Sequence, residues 1–204
     1  CKLYSQKRDT QVKYDFEKSF AENLPFPDNY FQGIVSFDVL EHVQSLSQTF
    51  SESHRVLKSG GLFVAVFPPF YMPTELHLTL ATSTPCLHWF FRPKILMRAY
   101  NQILQSRPLS DSYWYYEGTK KEYDWATIHG GIGINGTTIH ILRDILQKSN
   151  FSEYNILKPP LLSVGQSSLD SPHLTSLSRF IRPLTKLRLF EEWLTHRIVL
   201  IMRK

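Results

Sequence analysis

The chain has 204 residues, 42% of them hydrophobic, 14% aromatic and 20% charged, with a formal charge of +5. That composition excludes a disordered chain, and 204 residues can bury a sizeable core. No apolar run approaches the roughly 18 residues of a membrane-spanning helix. The longest, Gly61–Phe67 and Ile198–Met202, have strand length, so stable membrane insertion is not expected. Cys1 and Cys86 are too few for a disulfide framework or a zinc site of the usual spacing. They read as free thiols in a reducing, cytoplasmic setting.

The charge is lopsided. Residues 179–204 hold seven Lys/Arg against Glu191 and Glu192, so this stretch carries the whole +5. A chain that is not generally basic is not expected to bind nucleic acid. Arg179, Arg182 and Lys186 are spaced to share one helical face. That face offers either a peripheral contact to an anionic membrane surface or a solvated side opposite a leucine stripe.

In chain order, Val12–Phe16 is a short β-favouring run. After the turn-rich Pro25–Asn29, Gly33–Phe37 reads as a buried strand. From Asp38 the period changes: Val39, Val43, Leu46, Phe50, Val56 and Leu57 fit one helical stripe. This helix should end at Ser59-Gly60-Gly61, with glycine in a left-handed cap. Leu62–Phe67 is a second strand, stopped by Pro68-Pro69. Strand, helix and strand make one βαβ unit with parallel strands. Both strands are continuously apolar, as expected when helices cover both faces of a sheet. Residues 67–125 hold 13 of the 28 aromatics. Helical pieces fit Thr84–Gln105, with a break near Pro93. Thr137 or Thr138 can cap a further helix through Leu146, ending at Ser149-Asn150. A strand near Tyr154–Leu157, an amphipathic stretch from Leu174 to Leu194 broken at Pro183, and a last strand at Arg197–Arg203 complete the chain.

Residues 21–66 carry four ordered pieces: Ala21-Glu22-Asn23-Leu24-Pro25-Phe26, Phe31–Ser36, Leu40-Glu41-His42-Val43, and Glu52 with Arg55-Val56-Leu57-Lys58 before Gly60-Gly61. In this order and spacing they resemble the middle of a class I S-adenosylmethionine-dependent methyltransferase, of the type 11-like subgroup. The close, with its Asn-Phe corner and final apolar strand, is similar to the family's sixth and seventh strands. The resemblance implies an α/β, doubly wound Rossmann-like sheet, mostly parallel with an antiparallel last strand and N-terminally incomplete. It divides the chain into a partial core (1–67), an aromatic substrate-side insertion or cap (68–135) and the remainder of the core (136–204). The family's glycine-rich loop and ribose-binding acid have no counterpart before residue 20. The resemblance therefore implies a start after the family's second strand, and poor cofactor binding by these residues alone.

The resemblance also implies the site residues. Phe20, Ala21 and Glu22 fall where the family meets adenine, with Phe20 replacing a common Asp. Ser36, Phe37 and Asp38 fall at the strand end that meets the cofactor's amino acid moiety, following the rule that ligands bind at the carboxyl ends of an open α/β sheet. Phe37 has a plain core reading, and Asp38 a plain helix N-cap reading. His42, one helical turn beyond Asp38, is the candidate base or acceptor-orienting group, against a reading as a histidine bonded within the fold. Glu41 reads as structural. Glu52 and Arg55 read as a surface pair. Pro69, Tyr71 and His77, with Pro68, could line an acceptor pocket. Trp89-Phe90-Phe91 and Trp114-Tyr115-Tyr116 could form an apolar lid or the cap's own core. Gly131-Ile-Gly133-Ile-Asn-Gly136 satisfies a phosphate-loop pattern but lacks a preceding strand, so a mobile loop at the substrate mouth is expected instead. No metal site is expected. The implied activity is methyl transfer from S-adenosylmethionine to a small, apolar acceptor. The rivals are a catalytically incompetent binding protein of the same fold, and a lipoprotein modified at Cys1.

Overall fold

The computed structural model describes residues 15–73, 82, 84–106, 135–160, 183–184, 186–188 and 190–204. Among the described residues four strands form one sheet: β1 (Phe31–Phe37), β2 (Leu57–Phe67), β3 (Glu153–Leu157) and β4 (Ile198–Arg203), in the order β1-β2-β4-β3. β1 and β2 are parallel, and β4 runs antiparallel to both its neighbours. Three strands therefore share one direction and only the last is reversed, as the resemblance implies. The helices are α1 (Leu46–Val56), α2 (Leu87–Phe90), α3 (Pro93–Ser106) and α4 (Ile139–Gln147).

Sequence and structure agree on the βαβ unit but not on its joints. α1 starts at Leu46, eight residues after Asp38. Its N-cap is Ser45, whose side chain accepts the Gln48 N–H. Residues 38–45 are not helical, so Asp38 is not a helix cap. At the other end α1 stops at Val56 and β2 begins at Leu57, before the glycines rather than after them. Gly60, at φ +75, belongs to an irregularity in β2, where Phe31 faces Leu57 but Gly33 already faces Leu62. Lys204 stabilises this joint from the far end of the chain. Its Nζ donates to the carbonyls of His54 and Leu57, both at 2.6 Å, placing a cation at the C-terminal end of α1. Its backbone also exchanges hydrogen bonds with Gly60 and Gly61 at 3.0 Å.

The break in the next helical region falls as expected, at Phe91-Arg92 between α2 and α3. Thr138 caps α4 by accepting the Ile141 N–H. The helix ends with Lys148 in a right-handed conformation, so the expected left-handed asparagine is absent. Residues 12–14 and most of the 174–194 stretch lie outside the described residues. Asp15 and Phe16 are exposed and not in a strand.

Among the described residues the core lies on one face of the sheet. Phe63, Ala65 and Phe67 of β2 and Ile198, Leu200 and Met202 of β4 meet Leu46 and Phe50 of α1 and Leu142 and Leu146 of α4. Phe151, at the corner after α4, packs on Phe63 and edge-on to His54. Each such buried Leu, Ile, Phe or Met side chain contributes about 1.5–3 kcal/mol. The opposite face differs from expectation: Val35 is 80% and Phe37 62% exposed. The reading of Gly33–Phe37 as a buried strand is thus corrected. β1 is an edge strand here, and no described helix covers that face.

Candidate functional site

The carboxyl ends of β1 and β2 lie side by side, because Phe37 faces Val66 in parallel register. Ser36 is half-buried and Phe37 exposed, as alternation along a strand requires. Asp38 then turns the chain in a left-handed conformation, φ +52, with its N–H donating to the Val66 carbonyl. Its carboxylate pairs with the Arg197 guanidinium, which reaches across from the start of β4. The same guanidinium lies over the Phe37 ring, 5.8 Å from its centre. The edge thus carries an exposed aromatic beside a paired cation and anion.

The residues before β1 divide by role. Glu22 accepts the N–H groups of Gln44, at 2.6 Å, and Ser45, at 3.2 Å, so its carboxylate fixes the turn that opens α1. Ala21 packs against the core, while Phe20 is 72% exposed. Arg55 binds the carbonyls of Leu24 and Phe26 and the carboxylates of Asp28 and Glu52. The Glu52–Arg55 pair therefore clasps the loop before β1. Arg55 holds the Glu52 carboxyl below its usual range, and these carboxylates push Arg55 up.

His42 closes a turn through its N–H to the Val39 carbonyl, and its ring lies 4.0 Å from the buried Glu41 carboxylate. Because residues 38–45 are not helical, the one-turn relation between Asp38 and His42 does not form. What fixes this turn is Asn135, which sequence reasoning missed. Its amide donates to the Leu40 and Val43 carbonyls, and its N–H donates to Glu41. The Asn135-Gly136 end of the glycine-rich pattern is therefore a structural joint, with Gly136 at φ +73. Residues 131–134 lie outside the described residues.

A second cluster forms where β2 ends. Pro68 and Pro69 are buried and Tyr71 is partly exposed. His77, like Trp114-Tyr115-Tyr116, lies outside the described residues. The Tyr71 ring stacks on His88, with centres 6.4 Å apart. Next to His88, Trp89 stacks on Trp193 at 5.2 Å. Next to Trp193, the Glu192 carboxylate accepts the N–H groups of Tyr71 and Ile139. Tyr71, His88, Trp89, Trp193 and Glu192 thus close a circuit of contacts drawn from three separate segments. Phe90 and Phe91 point away, 79% and 48% exposed, so the Trp89-Phe90-Phe91 run does not act as one surface.

Burial pushes the His88 imidazole down to about 4, so it is neutral near pH 7. Burial pushes the Glu192 carboxyl up to about 7. Neither residue stands out by spacing. The available signal is that each directly precedes a tryptophan. Behind the circuit, the buried Glu191 carboxylate binds Arg143 through both oxygens and Lys158 through one. That network ties the 190–195 segment to α4 and to the end of β3.

Residues 2–65 match a protein-family model described as a methyltransferase domain. A methyltransferase domain is present there. Its expected cofactor is S-adenosylmethionine. Similar curated proteins include a sterol 24-C-methyltransferase of Pneumocystis carinii, 41% identical over 65 residues, covering 32% of this chain and 17% of that protein. A demethylmenaquinone methyltransferase of Symbiobacterium thermophilum is 36% identical over 74 residues, 34% of this chain and 30% of its own. A ubiquinone/menaquinone biosynthesis C-methyltransferase of Neisseria meningitidis is 43% identical over 56 residues, 27% of this chain and 23% of its own. The matched stretch is thus less than a third of each relative's length. The methyltransferase domain contains the clasped loop before β1, β1 with its exposed edge, and the joint into β2. The aromatic circuit lies beyond it.

Among the described residues no group of His, Cys, Asp and Glu could hold a metal ion, and no helix is long and apolar enough to cross a membrane. Of the basic residues near the C-terminus, Arg197 pairs with Asp38 and Lys204 serves α1. Lys186 and Arg188 are exposed, whereas Arg179 and Arg182 lie outside the described residues.

Proposed function

We propose that the complete protein transfers a methyl group from S-adenosylmethionine to a small, apolar acceptor. The observation that carries this reading is the methyltransferase domain of residues 2–65, in which the end of β1 lies beside the end of β2 just beyond it. The residues at that edge fit parts of the cofactor. The paired Asp38 and Arg197 suit an amino acid moiety that bears both charges. The exposed Phe20 ring suits a planar base, and the Ser36–Phe37 backbone and Ala21 complete that side. Glu22 contributes by holding the α1 turn, since its carboxylate is engaged there.

The bound cofactor supplies an activated methyl group. The chain therefore has to align the acceptor and exclude water. In this reading 68–135 is the substrate-side cap between the partial core and its remainder. Pro69, Tyr71 and His77 belong to the acceptor wall, and His42 is the group that orients the acceptor or takes its proton. Calorimetry with S-adenosylhomocysteine on the full-length protein tests the proposal. Saturable heat at micromolar ligand supports it, and no heat together with no protection from unfolding refutes it.

A further inference from the structure

The corner between α2 and α3 turns large apolar side chains outward and holds them there. Phe90 is 79%, Phe91 48% and Ile95 57% exposed. Their neighbours are anchored on the protein. His88 donates to the Phe70 carbonyl and stacks on Tyr71, Trp89 stacks on Trp193, and Leu96 is buried. Backbone bonds close the turn. Phe91 N–H donates to the Leu87 carbonyl at 3.0 Å, and the Ile95 and Leu96 N–H groups donate to the Arg92 carbonyl at 2.9 and 3.2 Å. The phenyl rings can therefore turn inward only by breaking these anchors. One exposed apolar side chain is ordinary, but three large ones at a single corner form a patch. The charge around them has one sign. Arg92 and Arg98 are exposed, and neither pairs with a carboxylate among the described residues. Residues 76–110 hold Arg92, Lys94, Arg98 and Arg107 and no Asp or Glu.

We propose that the α2–α3 corner docks on an anionic lipid bilayer: Phe90, Phe91 and Ile95 enter the boundary between headgroups and acyl chains, and Arg92 and Arg98 meet the anionic headgroups. Size and charge select this partner. The three side chains expose roughly 300–400 Å² of apolar surface, whereas a stable protein interface takes about 800 Å² from each partner. Aromatic rings flanked by arginines suit the headgroup boundary, where the ring is buried and the cation stays wet. A surface without carboxylates is attracted to the negative leaflet at every cation. The contact is peripheral, since no helix among the described residues is long and apolar enough to cross a membrane. His88 and Trp89 directly precede the corner, so docking brings the aromatic circuit at the end of β2 towards the lipid. The binding does not rest on the methyl-transfer reading.

The probe is a phosphatidylcholine vesicle containing about one third phosphatidylserine, compared with phosphatidylcholine alone. Co-flotation of the 204-residue chain without cofactor measures binding. The expected result is binding to the anionic vesicle, weakened about fivefold by Arg92→Gln or Arg98→Gln and at least as much by Phe90→Ser. Lys186→Gln combined with Arg188→Gln, at exposed positions near the C-terminus, should leave binding unchanged. Hydrogen exchange on the wild type gives a reading that needs no variant: protection should rise at residues 90–98 when anionic vesicles are added. No flotation, equal flotation with both vesicles, or no added protection at the corner overturns the proposal. So does binding that survives Phe90→Ser but is lost in the C-terminal variant. Docking without cofactor heat removes the methyl-transfer reading and keeps the surface. Cofactor heat without docking removes the surface alone.

Discussion

Replacing Glu191 by Ala removes the group on which three parts of the fold converge. Its carboxylate is 7% exposed and binds Arg143 at 2.5 and 2.7 Å and Lys158 at 2.8 Å. Burial alone would push this carboxyl up, but the bonds from Arg143 and Lys158 outweigh burial and hold it below the usual range. Removing one partner of a buried ion pair costs about 3–5 kcal/mol. Arg143 and Lys158 remain 26% and 18% exposed, so both can recover some water once Glu191 is gone. The expected cost is therefore at the low end, about 3 kcal/mol. Urea unfolding at pH 7 measures it, with Glu191→Gln as the variant that keeps shape and loses charge. The pH dependence supplies a second check. A carboxyl with a lowered folded pKa contributes stability above its unfolded value of 4.5, and that contribution is lost as pH falls through the folded value. The gap between wild type and Glu191→Ala should therefore narrow in acid. A loss below about 1 kcal/mol at pH 7, the range of an exposed pair, would refute the reasoning.

The pKa shifts of His88 and Glu192 predict opposing slopes. His88, lowered to about 4, destabilises the fold as pH falls from 6.5 towards 4. Glu192, raised to about 7, stabilises it below 4.5 and loses that contribution as pH rises towards 7. Thermal melts across this range should therefore be flatter for wild type than for Glu192→Gln, which exposes the histidine slope; parallel profiles contradict this. Gly61→Ala should destabilise by about 1–3 kcal/mol, because the new Cβ would lie 2.8 Å from the Lys58 carbonyl and 3.0 Å from that of Gln32. Lys204→Met should cost about 1 kcal/mol by leaving the carbonyls at the end of α1 unserved, with exchange protection lost first near His54–Leu57.

Elements fixed by local chemistry were legible in the sequence. β2 and β4 show as short apolar runs between breakers, Thr138 caps α4, and Pro93 marks the α2–α3 break. The start of α1 was not legible. The stripe that includes Val39 and Val43 continues into α1, but the turn between them is held by Glu22 and Asn135, both remote in sequence. Periodicity cannot register such partners. The exposed face of β1 was misread for a related reason: an apolar run reports what a strand can bury, not whether a neighbour covers it. At the site, Ser36, Phe37 and Asp38 were found from the strand-end rule, but Arg197 comes from the far end of the chain and gives no local sign. His88 and Glu192 carry only the weak sign of a following tryptophan, because their contacts come from three separate segments.

The sheet order also bears on how the chain is made. β4, the last strand in sequence, lies between β2 and β3. During synthesis those two strands emerge first, with facing edges that cannot yet bond to each other or to anything native. Until residues 198–203 arrive, each edge is a template for pairing with another chain. The five-residue length of β3 keeps its edge short during that interval, and Pro68-Pro69 ends the β2 edge at Phe67.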